Sequence, residues 1–303
     1  MKMPARFIVI ASSKGGIGKS TAALGISRSL CARGHSVLLC DLDYGNACLD
    51  MLCGVEDSVL YTSADAALGA CTPQAALIAL EQPSDGGSRG QNGSGGRMYL
   101  LPAPCAGQYE ICVQSATNAG AAQSQTDNAS VDGGSPANAV YADRLCNTLR
   151  EASEAAGADY VVLDTGAGIS GGLCAAAGAA DEALVVAGHS PVSLRSADAT
   201  ARLLEKHGIK NIRLVINGFD AAGVTDRRSA RSGIFSMIDT AHLPLCGIVP
   251  YDPSLAAAQE SGKKTSSLSD AAFANIAARL DGEEVPLFCG LKKFRKNRNK
   301  FYI

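Results

Sequence analysis

The chain has 303 residues, 47% of them hydrophobic, which is enough to bury one large core. Its 29 acidic and 27 basic residues give a formal charge of −2, so the chain as a whole offers no broad basic surface to a polyanion. No stretch approaches the roughly 18 consecutive apolar residues of a spanning helix, and residues 1–6 lead into a short strand without the apolar core of a secretory leader. The 11 cysteines are spread through apolar and helical segments rather than short loops, which predicts reduced thiols and a cytoplasmic protein.

Residues 7–11 form an apolar run that reads as a buried strand, and two residues later comes Lys14-Gly15-Gly16-Ile17-Gly18-Lys19-Ser20-Thr21. Glycines let the backbone approach an anion and aim successive N–H groups at it, and a helix N-terminus adds partial positive charge at the same spot. In a loop of the form G-x-x-x-x-G-K-[ST] the lysine meets the terminal phosphates and the next hydroxyl ligands magnesium, which makes Lys19 and Ser20 the candidates. Here Ser13 replaces the first glycine, and an extra lysine, Lys14, follows it. A bare glycine-rich stretch is often only a flexible loop, but the strand before this one and the helical pattern after it favour the phosphate cradle.

Residues 20–33 carry apolar side chains at helical spacing and stop at Gly34, a good C-terminal cap. Residues 36–40 are a continuous apolar run, as in a parallel strand covered on both faces, and lead into Asp41-Leu42-Asp43. Residues 98–101, 160–163, 182–187 and 212–216 read as further strands, the second ending in Asp164 and the last at Asn217; residues 142–156 and 193–207 read as helices. Strands alternating with helices predict an α/β fold, a parallel twisted sheet with helices on both faces and ligands outside the carboxyl ends of the strands. Residues 84–97 and 114–138, rich in Gly, Ser, Asn, Gln and Ala, read as flexible surface insertions in one domain spanning 1–284.

Phosphoryl transfer needs charge neutralisation and a positioned water, so acids at strand ends beside the glycine loop are the candidates. Asp41, Asp43 and Asp164 qualify, although either member of the first pair could instead cap a helix.

The sequence KGGIGKST resembles the deviant P-loop of the MinD/ParA group of ATPases. That resemblance implies an ATP- and Mg²⁺-dependent hydrolase that dimerises around its nucleotides. Lys14 would reach the partner's phosphates, while Lys19 grips its own with the amides of Gly15, Gly16, Ile17, Gly18 and Thr21. Residues 41–46 resemble the first switch, with Asp43 orienting the attacking water and Asp41 supporting the magnesium shell with Ser20. Residues 163–168 resemble the acid strand and second switch, where Asp164 holds magnesium through water and the Gly168 amide faces the terminal phosphate. Thr165-Gly166 stands where MinD proteins usually have Ser-Pro. Asn217 matches the asparagine that reads adenine, and the stretch 249–253, with Pro250 and Asp252, matches the adenine-flanking loop. There is no C-x-x-C pair, unlike the iron–sulfur relatives that share such a loop.

Residues 285–303 hold six basic residues and no acid, so this tail carries +6 and leaves −8 elsewhere out of the total of −2. Leu287, Leu291, Phe294 and Phe301 fall on one helical stripe, the pattern of a basic amphipathic helix on an anionic membrane surface. Its position resembles the membrane-targeting helix that ends MinD proteins. The resemblance then implies an ATP-dependent homodimer, reversibly peripheral on the inner face of the cell membrane, that regulates division spatially with an activating protein partner. A partitioning ATPase using the tail with Arg227, Arg228 and Arg231 on DNA, or a flagellar-number regulator of the same family, is the alternative.

Overall fold

The computed structural model describes residues 4–44, 46–81, 96–104, 136–167, 171–219, 233–252, 268–287 and 289–290. Eight strands form one sheet: β1 (Arg6–Ala11), β2 (Val37–Leu42), β3 (Ile78–Leu80), β4 (Met98–Leu101), β5 (Tyr160–Thr165), β6 (Glu182–Ala187), β7 (Asn211–Phe219) and β8 (Leu245–Pro250). Their order is β3-β4-β2-β5-β1-β6-β7-β8, parallel throughout except for the edge pair β3–β4, which is antiparallel. Every residue of β2, β5, β6 and β8 is buried. Strands without an exposed face require cover on both sides, which explains why their sequences run apolar without alternation.

That cover comes from α1 (Lys19–Ala32), α2 (Leu49–Cys53), α3 (Ser63–Ala67), α4 (Pro136–Ala156), α5 (Gly171–Ala179), α6 (Pro191–Lys206), α7 (Ile234–Ala241) and α8 (Leu268–Leu280). The helices pack in pairs, α1 with α8, α4 with α5 and α6 with α7. At the first of these contacts Gly25 lies so close to the Phe273 ring that a Cβ would come within 2.3 Å of it. Gly25→Val should therefore cost about 1–3 kcal/mol of stability through overpacking, measured as a lower urea midpoint with an unchanged slope; an unchanged midpoint would contradict this packing.

At the amino ends of the strands, buried Glu182 holds Arg6 and Arg213 (2.8 Å to the latter). Asp281, just past α8, accepts from the Tyr160 hydroxyl at 2.6 Å and pairs with Arg33 beyond α1. The start of β1 and the ends of α1 and α8 are thus fixed at the amino end of the sheet, opposite the carboxyl end that carries the glycine loop.

Several boundaries differ from those read in the sequence. The tail does not begin at residue 285: the Arg279 guanidinium donates to the Val285 carbonyl at 2.8 Å, the Asn275 amide donates to the Cys289 carbonyl at 2.7 Å, and Leu287 is only 2% exposed within the core. Leu287 therefore packs on the domain rather than facing lipid. Arg97, assigned above to a flexible insertion, accepts from Val37 N at 2.7 Å beside β4. Residues 136–138, assigned to the second insertion, open α4 with Pro136, whose missing N–H and fixed φ suit a first turn. The rest of both insertions lies outside the described residues. No helix among the described residues is long and apolar enough to cross a membrane.

Candidate active site

The glycine loop joins β1, flanked by β5 and β6, to α1. Gly16 and Gly18 have φ of 71° and 84°, the left-handed region that glycine enters without strain. Gly18 is also the N-cap of α1, and its carbonyl accepts from Ala22 N at 2.9 Å. The loop is braced on two sides. Ser12, buried at the end of β1, donates to the Lys14 carbonyl at 3.0 Å, and the Asn217 side-chain amide donates to the Ile17 carbonyl at 2.7 Å. Asn217 approaches Gly18 so closely that any Cβ there would collide with it. Asn217, matched above to adenine, is thus also a strut of the phosphate loop, reaching it from the neighbour-but-one strand β7.

Lys19 is buried and faces two acids: its Nζ lies 3.0 Å from Asp164 Oδ1 and 3.7 Å from Asp43 Oδ2. Asp164 is fully buried, and burial, opposed by Lys19 and Ser20, raises its pKa above the ordinary carboxylate value. Its second oxygen, Oδ2, has no hydrogen-bond partner. Asp41 and Asp164 are paired across β2 and β5, and burial together with the Asp164 charge pushes Asp41 up to about 7.

Asp41 is nevertheless tightly engaged. Its Oδ1 accepts from Asp43 N at 3.0 Å, and its Oδ2 accepts from Cys48 N and Leu49 N at 3.0 and 3.1 Å. It therefore anchors the loop after β2 and the start of α2, the capping role left open above, beside any part it takes in a metal shell. It also lies within β2 rather than beyond it, and Asp164 lies within β5. Asp43 reaches further towards the loop, and its Oδ1 accepts from Asn46 N at 3.3 Å.

Lys14 is exposed, unlike Lys19. Thr165, at the departure from Ser-Pro, is fully buried, and its hydroxyl donates to the Ile10 carbonyl at 3.0 Å, tying β5 to the strand that carries the P-loop. Pro250 is the last residue of β8 rather than part of a loop, and Asp252 accepts from Ser269 N at 3.4 Å near the start of α8. Gly168, Pro253, Arg227, Arg228, Arg231, Leu291, Phe294 and Phe301 lie outside the described residues. The sequence reading missed Ser12, and it singled out Thr165 without its bond to β1. Neither bond has a motif signature, since a hydroxyl that satisfies a backbone carbonyl is visible only once the strands are assembled.

A buried carboxylate, Asp164, and a partly exposed one, Asp43, share one ammonium here, and one oxygen of Asp164 is orphaned. A divalent cation with an attached polyphosphate fits that imbalance: the cation answers the surplus negative charge and the phosphates give Lys19 a second partner. Residues 8–265 match the family model described as the CobQ/CobB/MinD/ParA nucleotide binding domain. The chain belongs to this family. Within it the chain is MinD-like. It is 28% identical to the septum site-determining protein MinD of Synechocystis over 93% of this chain and 91% of that protein. It is 30% identical to the putative MinD of Guillardia theta over 93% and 90%. The MinC:MinD cell division complex of Aquifex aeolicus superposes with a TM-score of 0.70 at 26% identity, covering 93% of this chain and 98% of that one.

Proposed function

We propose that this protein is a MinD-like ATPase in which ATP closes a dimer, the dimer binds the membrane through two basic tails, and hydrolysis releases it to set the division site. The observation that carries the nucleotide half of this reading is the cluster of buried Lys19 and Asp164 with Asp43 beside a glycine loop, with Asp164 Oδ2 unpartnered. Bound MgATP supplies the phosphoryl group and the cationic charge that its transfer requires. Lys19, held by Asp164 and Asp43, would meet the terminal phosphates. Ser20 would ligand magnesium and Asp164 would hold it through water, with Asp41 fixing the loop around them. Asp43 accepts a hydrogen bond from the attacking water and so orients its lone pair. Asn217, Pro250 and Asp252 stand at the carboxyl ends of β7 and β8 and bound the adenine end. An activating protein partner recognises the ATP-bound dimer; MinD of Aquifex aeolicus occurs in complex with MinC.

Asp43→Ala should keep ATP affinity and lower hydrolysis by about 100-fold or more, because it removes the water-orienting group and leaves the cradle intact. Single-turnover hydrolysis with a parallel binding titration checks it, and a wild-type rate would assign the wrong acid. Lys14→Ala should bind ATP as wild type does but fail to dimerise, since the exposed Lys14 meets the partner's nucleotide. Light scattering with ATP decides this: dimers equal to those of wild type count against the shared-nucleotide dimer.

A further inference from the structure

A cavity of about 330 Å³ lies between α1, the end of α2 and the edge pair β3–β4, and no residue of the nucleotide site lines it. Most of its wall is apolar. Leu80 and Met98 are paired across β3 and β4, Met98 fully within the core, and half-buried Cys53 and Val55 contribute the end of α2. Two opposite charges complete the lining, Arg28 from α1 and Glu81 just past β3. Both are exposed, and among the described residues neither has an ion-pair or hydrogen-bond partner. Isolated surface charges are content with water, but these two border one apolar cavity without meeting each other, so a single molecule lying between them can answer both.

We propose that this cavity binds a small zwitterion with an apolar side chain, an α-amino acid of the leucine or methionine type. Size favours such a ligand: pockets for small molecules run from roughly 300 to 1,000 Å³, and this one stands at the lower end, which suits a molecule of about nine heavy atoms rather than a nucleotide. The lining selects the chemistry. A carboxylate takes two parallel N–H bonds from the Arg28 guanidinium, an ammonium donates to the Glu81 carboxylate, and the side chain leaves water for Leu80, Met98 and Val55. A simple anion or a simple cation satisfies one charge and leaves the other unanswered; a purely apolar molecule answers neither. The walls come from a helix and a strand pair whose places the core sets, so the two charges are held at a fixed separation before any ligand arrives. This site is separate from the MgATP reading and does not depend on it.

The test titrates the full chain with L-leucine and with L-methionine by calorimetry. Three controls each remove one feature of the ligand: 4-methylpentanoate lacks the ammonium, 3-methylbutylamine lacks the carboxylate, and glycine lacks the apolar side chain. At least one of the two amino acids should bind saturably, and each control should bind about tenfold or more weakly than it does. Arg28→Gln and Glu81→Gln should each lower the affinity for that amino acid by about tenfold or more. Both residues are exposed and lie outside the nucleotide site, so the variants should fold and bind MgATP as wild type does, which separates a lost ligand from a lost fold. No saturable binding of either amino acid up to about 10 mM, a control that binds as tightly as the amino acid, or an affinity unchanged in either variant would each overturn the proposal. MgATP titrations of the same preparations are scored separately: wild type that binds MgATP and neither amino acid sinks this site alone, and wild type that binds an amino acid but no MgATP sinks the nucleotide reading alone.

Discussion

Lys19→Ala is expected to abolish nucleotide binding at concentrations where wild type saturates. Lys19 is the buried cation at the centre of the site, 3.0 Å from Asp164 and 3.7 Å from Asp43. Truncating one partner of a buried charge pair typically costs about 2–5 kcal/mol, which is roughly 30-fold to several thousand-fold in affinity. The larger end applies here, because the variant leaves two acids facing an incoming polyanion with nothing between them. The fold should survive. Asp164 already has a raised pKa through burial, with Lys19 the main force holding it down; without Lys19 it takes up a proton and escapes the cost of an unpaired buried charge. The sign for stability follows from this. In wild type the Lys19–Asp164 pair is intact only while Asp164 is ionised, so lowering the pH removes an interaction that the variant never had, and the gap in melting temperature should narrow as pH falls. Calorimetric titration with MgATP, alongside melts at two pH values, checks both statements. Retained ATP affinity in a folded Lys19→Ala protein would remove the basis for the site.

The parts legible in the sequence were those in which one local signal suffices. Residues 182–187 and 98–101 read as strands with the bounds that the structure gives, because strands buried on most positions are written as apolar runs without alternation. The P-loop was legible because glycine spacing, Lys19 and the helix start are contiguous. Asp41, Asp43 and Asp164 were legible as acids ending apolar runs, but their division of labour was not: the three backbone amides on Asp41 come from residues 43, 48 and 49, and only the folded loop brings them to it. The bracing of the loop was equally hidden, since Asn217 and Ile17 are 200 positions apart.

The C-terminal boundary failed for a related reason. Leu287 satisfies the helical stripe of the tail and also fits the core, and the sequence alone does not choose between two apolar environments. Tertiary contacts from Arg279 and Asn275 do choose, because they hold the carbonyls of Val285 and Cys289 and draw Leu287 inward. Without Leu287, the stripe left to the proposed membrane contact is Leu291, Phe294 and Phe301, which lie outside the described residues.

Replacing both Leu291 and Phe294 with Glu is expected to remove binding to anionic liposomes almost completely while ATP hydrolysis in solution persists. Burying a side chain of that size contributes roughly 1.5–3 kcal/mol, and a dimer carries the loss twice. One short basic segment binds a lipid surface marginally; two on the proposed ATP-closed dimer would bind as a pair through effective concentration, and residence would then follow ATP. Each basic residue adds about 1 kcal/mol near an anionic surface; the two glutamates offset two of the six, and what remains in the variant is a salt-sensitive attraction without apolar insertion. Hydrolysis should persist because the tail follows Asp252, the last site residue, by more than thirty positions, and the clasp at residues 285–290 holds the domain end in place without it. A DNA-binding arm predicts the opposite pattern: the double variant would keep most of its polyanion binding, and salt would be the stronger lever. Sedimentation of both proteins with anionic liposomes and with duplex DNA, each with ATP and with ADP, separates the two. Pelleting of wild type with liposomes only in ATP, and of the variant in neither state, is the membrane result; equal pelleting of the two proteins, or of the two nucleotide states, would move the tail's role to nucleic acid.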